Sequence, residues 1–383
     1  MVVPSSTGHE RARALLQRVP LVDGHNDLPW ALREFGDGTG EDVYTTAGKI
    51  DLTERHPSLH TDIVKMREGG LGMQFWSVWI PGRLAGDAAV TAVLEQVELV
   101  YELAERYSGH LGIATTAAEA EKVFGSGRVA SLLGAEGGHS INSSLGVLRA
   151  LRRLGVRYMT LTHNDNTPWA DSATDQPEHG GLTEFGRSVV REMNRIGMLV
   201  DLSHVAPSTM HAALDTSVKP VIFSHSSCRH VADHPRNIPD DVLVKLKANG
   251  GVAMITFVPD FVSPRVAEWD AALREAMTTA GASHADMAER KSFSEKWAVE
   301  HPKPGATLDD VVTHLEHARE VVGIDHIGLG GDYDGVKELP AGLEDVSTYP
   351  NLIGALLDKG WSEDDCAKLA GANVLRVLRD ADS

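Results

Sequence analysis

Six short apolar stretches of this sequence run into histidine, aspartate or glutamate, and chemistry could reside at those endings. They read Asp23-Gly24-His25-Asn26-Asp27, Glu136-Gly137-Gly138-His139, Thr162-His163-Asn164-Asp165, Asp201-Leu202-Ser203-His204, Ser224-His225-Ser226-Ser227 and Gly331-Asp332-Tyr333-Asp334-Gly335. Residues two apart in extended backbone share a face, so His25 and Asp27 can reach one metal ion together. With His204, His225 and Glu136 they make a ligand set too large for one tetrahedral zinc that keeps an open position. The set suits two zinc ions bridged by a carboxylate and a hydroxide. Glu136 is the strand-end carboxylate that falls between the two pairs, and no lysine stands at a strand end to take its place. Two such ions lower the pKa of water and polarise a carbonyl or phosphoryl oxygen, so the chemistry indicated is hydrolysis.

For these residues to meet, the segments carrying them must end on one rim. Eight apolar runs rich in Val, Ile, Leu and Met predict strands near residues 20–24, 72–80, 128–135, 157–162, 197–203, 219–224, 251–257 and 326–331. Segments of helical periodicity lie between most of them, including 88–106, 184–195 and 308–322. Near-continuous apolar strands alternating with helices imply a parallel sheet buried on both faces. Eight such units predict an α/β fold, a (β/α)8 TIM barrel, in which every strand presents its C-terminal end to the same face. An open Rossmann-like sheet is the rival, but no G-x-G-x-x-G follows the first strand and no P-loop occurs. The long connections 31–70 and 258–310 predict insertions on the catalytic face, the second as one or two helices serving as a lid or a subunit contact. Neither an internal repeat nor a linker composition is present, so residues 1–383 read as a single catalytic domain.

Composition narrows the partners. The chain is 42% apolar and 23% charged, ordinary values for a globular protein, which excludes collagen-like, coiled-coil and disordered classes. There is no run of about 18 apolar residues that would predict a membrane-spanning helix. The opening residues lack the basic and apolar blocks of a secretory signal, and two cysteines cannot make a disulfide framework, so the expected location is cytoplasmic. A net charge of −18 argues against nucleic acid and anionic membranes as partners. It also tilts the substrate away from polyanions, towards amides or small neutral esters.

The motifs resemble those of the membrane (renal) dipeptidase family, the M19 metallopeptidases. The resemblance is carried by Val22-Asp23-Gly24-His25-Asn26-Asp27-Leu28-Pro29-Trp30, residues 70–78, Glu136-Gly137-Gly138, Leu161-Thr162-His163-Asn164 and Asp201-Leu202-Ser203-His204. Residues 224–227, Arg236-Asn237, residues 330–335 and Gly371-Ala372-Asn373 continue it in family order. It implies a metal-dependent hydrolase barrel with two zinc ions that cleaves dipeptides, L-Xaa-D-Xaa included, and it suggests a homodimer. His25 and Asp27 would then bind one zinc, His204 and His225 the other, with Glu136 and a water or hydroxide bridging. His163 would stabilise the oxyanion, Arg236 would bind the C-terminal carboxylate of the substrate, and Asp332 would carry the proton to the leaving amine. The secretion signal, lipid-anchor signal and disulfide-forming cysteines of mammalian members have no counterpart here, as expected of a soluble bacterial-type member.

Each assignment has a plainer rival. Asp27 could cap the following helix. Asp334 competes with Asp332 because strand parity points both the same way, and Arg229 competes with Arg236. His139, His230 and His234 have no assigned task. The His314 and His317 pair has helical spacing for a chelate but reads as a solvated helix face, Cys228 reads as packing, and Trp30, Trp76 and Trp79 read equally as pocket walls or core. Two other functions fit the same residues: a dinuclear amidohydrolase-type enzyme acting on a lactone, cyclic amide or phosphoester, and a non-catalytic metal-binding scaffold.

Overall fold

The computed structural model describes residues 6–34, 50–282 and 287–383. The strands are β1 (Leu21–Asn26), β2 (Leu71–Ser77), β3 (Leu111–Ile113), β4 (Val129–Glu136), β5 (Val156–Thr160), β6 (Leu199–Asp201), β7 (Ile222–Phe223), β8 (Val252–Ile255) and β9 (Ile327–Leu329), and all but β3 fall on the apolar runs. Pairing is parallel throughout, in the order β2-β1-β9-β8-β7-β6-β5-β4, and β2 pairs again with β4 from Met73 opposite Ala130 to Ser77 opposite Gly134. Eight strands therefore close into the predicted barrel. The unanticipated strand, β3, lies outside that ring against the start of β4; its sequence Leu-Gly-Ile is too short to carry a period.

Alternation sorts the strand residues between two cores. Ala130 and Leu132 of β4 join Val22, Met73, Phe75, Tyr158, Leu199, Ile222, Val252 and Met254 in the inner cluster. Val129, Leu133 and Ala135 face outward into the layer shared with the helices. Val374, Leu375 and Leu378 of the helix Asn373–Asp382 belong to the inner cluster. Gly134 continues the inward series of β4. A Cβ there would lie 2.0 Å from the Tyr158 ring, so the glycine makes room for the tyrosine. In β1 an extra residue between Asp23 and Asn26 shifts the register. The bulge changes parity, so Val22 packs inside the barrel while His25, three residues on, reaches the rim.

The helices Asp87–Arg106, Glu184–Ile196 and Leu308–Val322 match the predicted segments to within a residue. Thr183 caps the second of these through the Gly186 N–H, and Thr307 with Asp310 forms a capping box on the third. Among its described residues the second insertion forms three helices, Pro259–Val262, Pro264–Ala280 and Met287–Glu300, rather than the one or two expected. Of the first, residues 35–49 lie outside the described residues. Among the described residues no helix is long and apolar enough to cross a membrane.

One expectation needs correction here. His314 is not on a solvated face; it is fully buried, its Nδ1 accepting from the Cys228 N–H (3.0 Å) and its Nε2–H donating to Val262 O (3.0 Å). Both ring nitrogens are occupied in tying the helix to two loops, so His314 cannot chelate with His317. Burial pushes its pKa from 6.5 down to about 4. The unfolded chain therefore takes up a proton that the fold refuses, and stability is lost as pH falls from about 6.5 to about 4, at roughly 1.4 kcal/mol per pH unit. Urea unfolding of the wild type at pH 7, 6 and 5 is expected to show this loss, and His314→Gln, whatever its starting stability, is expected to show a shallower one. Equal slopes would rule out His314 as one of the acid-sensitive groups.

Candidate active site

Five of the rim side chains converge within a few ångströms. His25 Nε2 lies 3.3 Å from Asp27 Oδ2 and 3.5 Å from Glu136 Oε2. Glu136 Oε1 faces the opposite way, 2.9 Å from His204 Nε2 and 3.3 Å from His225 Nε2, and those two nitrogens stand 3.0 Å apart. Glu136 thus presents one oxygen to each pair of residues that the sequence singled out. The first turn of the helix Leu28–Glu34 is capped by Asn26, whose Oδ1 accepts from the Leu28 N–H, so the carboxylate of Asp27 is not spent on that task.

The rings of His25 and His225 are oriented by groups behind them, whereas His204 Nδ1 is buried without a partner. Ser224 Oγ donates its one hydrogen to Asp201 Oδ2 (2.7 Å) and so accepts from His225 Nδ1–H (2.8 Å). Tyr158 Oη donates to Gly24 O (3.2 Å) and accepts from His25 Nδ1–H (2.9 Å). In their neutral form both histidines then turn the lone pair of Nε2 towards carboxylate oxygens. Asp201 also accepts from Thr160 Oγ1 and from the Ser203 and Ser224 N–H groups, fastening β5, β6 and β7 together. Asp23 does the same between β1 and β9, accepting from the His25 and Gly331 N–H groups and from Tyr349 Oη.

The donor set fits divalent metal ions. His25 Nε2 is buried without a hydrogen bond, because the nearby carboxylate oxygens lie off the ring's donor line. Imidazole nitrogens and carboxylate oxygens facing one another across about 3 Å call for positive charge between them. The electrostatics divide the two pairs. Burial works against a charged His25, yet Tyr158, Glu136 and Asp27 outweigh it and hold its proton affinity well above the ordinary range. Burial, with the Arg236 charge, holds His204 and His225 well below it. Glu136 stays ionised despite its burial, stabilised by His25, His163, His204 and His225.

The remaining predicted residues surround this cluster. His163 Nε2 is 4.0 Å from Glu136 Oε1, and its ring meets His204 at 4.4 Å and the edge of Trp79 at 5.4 Å. Trp79 packs edge-on against Trp30 and beside His163, whereas Trp76 is buried in the outer core. Arg236 is buried over Phe261 and bonds only weakly to Ser226 Oγ (3.4 Å) and His225 O (3.3 Å). Its Nε has no partner, and among the described residues it forms no ion pair. Arg229, its rival, pairs with Asp233 instead. Asp332 Oδ1 is 3.9 Å from His25 Nε2, and burial beside Asp27 and Glu136 raises its pKa well above the carboxylate range. The parity argument for Asp334 fails because both aspartates lie past the end of β9 with positive φ, 60° and 63°. Asp334 turns to His60, accepting from its N–H (2.7 Å) while donating its own N–H to His60 Nδ1 (3.0 Å).

Sequence reading missed Tyr158, Ser77, which donates to Glu136 Oε2, and the supporting roles of Ser224 and Asp201. Ser224 was visible as the neighbour of His225, but Tyr158 and Ser77 look like ordinary strand residues until the register sets them beside the rim.

A parallel barrel whose strand ends gather imidazoles and carboxylates defines a metal-dependent hydrolase. The chain belongs to the membrane dipeptidase family, peptidase family M19, whose family model matches residues 9–383. It is 41% identical over 379 residues to the dipeptidase VerJ of Clonostachys rogersoniana, covering 96% of this chain and 86% of that one. It is 40% identical over 387 residues to an uncharacterized dipeptidase of Schizosaccharomyces pombe, covering 97% and 83%. Its fold is shared with PvdM of Pseudomonas aeruginosa, at a TM-score of 0.83, 22% identity and 98% coverage of both chains. It is shared also with a metallopeptidase of Rhodobacter sphaeroides liganded with a phosphinate mimic of the dipeptide L-Ala-D-Ala, at a TM-score of 0.75, 22% identity and coverage of 95% and 99%. The protein is therefore a metallodipeptidase, a peptide-bond hydrolase.

Ser224→Ala removes the acceptor that fixes His225, and Tyr158→Phe the one that fixes His25. Each is expected to weaken divalent-metal affinity about 10- to 100-fold, read by competition with a chromophoric chelator. Unchanged affinity in both variants would show that these hydroxyls do not orient the rim.

Proposed function

We propose that the rim holds two zinc ions, His25 and Asp27 on one, His204 and His225 on the other and Glu136 between them, and that the enzyme hydrolyses dipeptides, L-Xaa-D-Xaa among them. The observation that carries the substrate reading is Arg236, a buried guanidinium beside the metal-type cluster with no carboxylate of its own. A dipeptide brings that carboxylate on the residue after its single peptide bond, and a guanidinium fork suits it. Inclusion of a D-residue at that position is supported by the L-Ala-D-Ala mimic bound to the Rhodobacter sphaeroides relative.

Bound there, two zinc ions supply Lewis acidity, acidifying the attacking water and polarising the scissile carbonyl. The rest falls to the chain's own side chains. Arg236 fixes the carboxylate end and thereby the distance of the peptide bond from the cluster. His163, at the edge of the cluster against Trp79, donates to the carbonyl oxygen as negative charge develops on it. Asp332 accepts the proton of the attacking water and delivers it to the leaving amine.

Purified, zinc-supplied protein is expected to release free amino acids from L,L- and L,D-dipeptides, and a chelated sample is expected to release none. A protein shown to hold two ions yet inert on the whole panel would refute the dipeptide assignment and turn attention to lactones or cyclic amides. Arg236→Ala is expected to raise KM for dipeptides by at least ~30-fold, from about 2–5 kcal/mol for one partner of a buried charge pair. It should barely affect a neutral ester. Asp332→Asn is expected to lower kcat about 10²- to 10⁴-fold with little change in KM; if KM rises and kcat holds, Asp332 binds substrate and moves no proton.

A further inference from the structure

Away from the rim, three side chains with no part in the reading above converge from separate segments: His230, Asp240 and His317. His230 lies in the loop after β7, Asp240 opens the helix Asp240–Asn249, and His317 projects from the helix Leu308–Val322. His317 Nε2 is 2.9 Å from Asp240 Oδ1, and His230 Nδ1 is 3.9 Å from Asp240 Oδ2. The two imidazoles lie parallel, 2° between planes and 4.6 Å between centroids.

We infer that His230, Asp240 and His317 form a second divalent-metal site, peripheral to the active site, for zinc or another borderline ion such as nickel. Two imidazoles and one carboxylate with water in the open positions make an accepted zinc ligand set. A hydrogen bond alone accounts for His317 and Asp240. It does not account for His230, 69% exposed and free to rotate into water, yet stacked on its twin with a nitrogen towards the other carboxylate oxygen. A cation shared by all three groups accounts for that placement. His314 cannot substitute, since both its nitrogens are engaged. The partial exposure of the cluster gives an ion a way in, and the greater burial of His317 anchors one side. An ion here clips the loop that carries both His230 and Arg236 to two helices of the outer layer, so occupancy adds thermal stability and supplies no catalytic part.

The test compares wild type with the double variant His230→Ala/His317→Ala and the single variant His230→Ala, whose side chain is too exposed to matter for packing. Each is purified as holoenzyme, dialysed against buffered micromolar free zinc, and its bound metal counted, with Tm followed against free zinc. Wild type is expected to bind one equivalent more than the double variant and to gain Tm with zinc where the double variant does not. His230→Ala alone is expected to weaken that last equivalent by at least ~10-fold, since loss of a ligand costs no less than loss of a group behind one. Equal metal content in wild type and both variants overturns the site. Because the readout is a difference between proteins, it does not depend on how many ions the rim itself holds.

Discussion

The active site depends on Glu136 being buried between the inward ring nitrogens of His25, His204 and His225. Such a cluster is costly in a low-dielectric interior, and for two of the imidazoles, His225 and His25, a group behind the ring sets which nitrogen is protonated. The instruction comes from behind. Asp201, acceptor-only, takes the hydrogen of Ser224, and Ser224 must then accept from His225. Tyr158 does the same for His25 from across the barrel axis, and it can lie there because Gly134 has no side chain. A glycine in one strand and a tyrosine in the next are thus as much a part of the metal-type cluster as the groups that touch it.

The strand ends are also where the backbone is least comfortable. His204, Asp332 and Asp334 all hold φ near +60°, a region costing non-glycine residues of order 1–3 kcal/mol. Their neighbours over-determine them. Asp332 N–H donates to His25 O (3.2 Å), Asp334 exchanges two hydrogen bonds with His60, and His204 O accepts from the Ala173 N–H (2.8 Å). The unstrained, wholly buried strands below supply the stability against which such positions are tolerated. Rigidity at the base and strain at the rim together fix the side chains that a reaction would require.

Much of this was legible in the sequence because the signals are strong and local. Parallel strands buried on both faces read as apolar runs, and their polar terminations marked His25, Glu136, His204 and His225 before any contact was known. The failures share a cause: each needed a relation between distant segments. Parity misled for Asp334 because the strand has already ended at Leu329 and a left-handed turn intervenes. His314 looked solvated because its helix is amphipathic on average, while its burial comes from two loops remote in sequence. Tyr158 and Ser77 could not be distinguished from core residues, since only the barrel's register decides which inward residue meets the rim.

On the proposed function, Arg236 connects the electrostatics of the site to its substrate. It is buried, which lowers its own pKa to about 10 against the opposing pull of Glu136, Asp332 and Asp201. Its positive charge in turn lowers the proton affinity of His163, His204 and His225, adding to the effect of their burial. The guanidinium that awaits an anionic partner therefore also helps keep three imidazoles neutral, in the form that can bind metal or donate a single N–H. A lysine would give the charge but not the planar fork, and a neutral residue would leave those imidazoles more basic beside Glu136. The group proposed to select a substrate by its carboxylate and the group that conditions the histidines are thus the same residue.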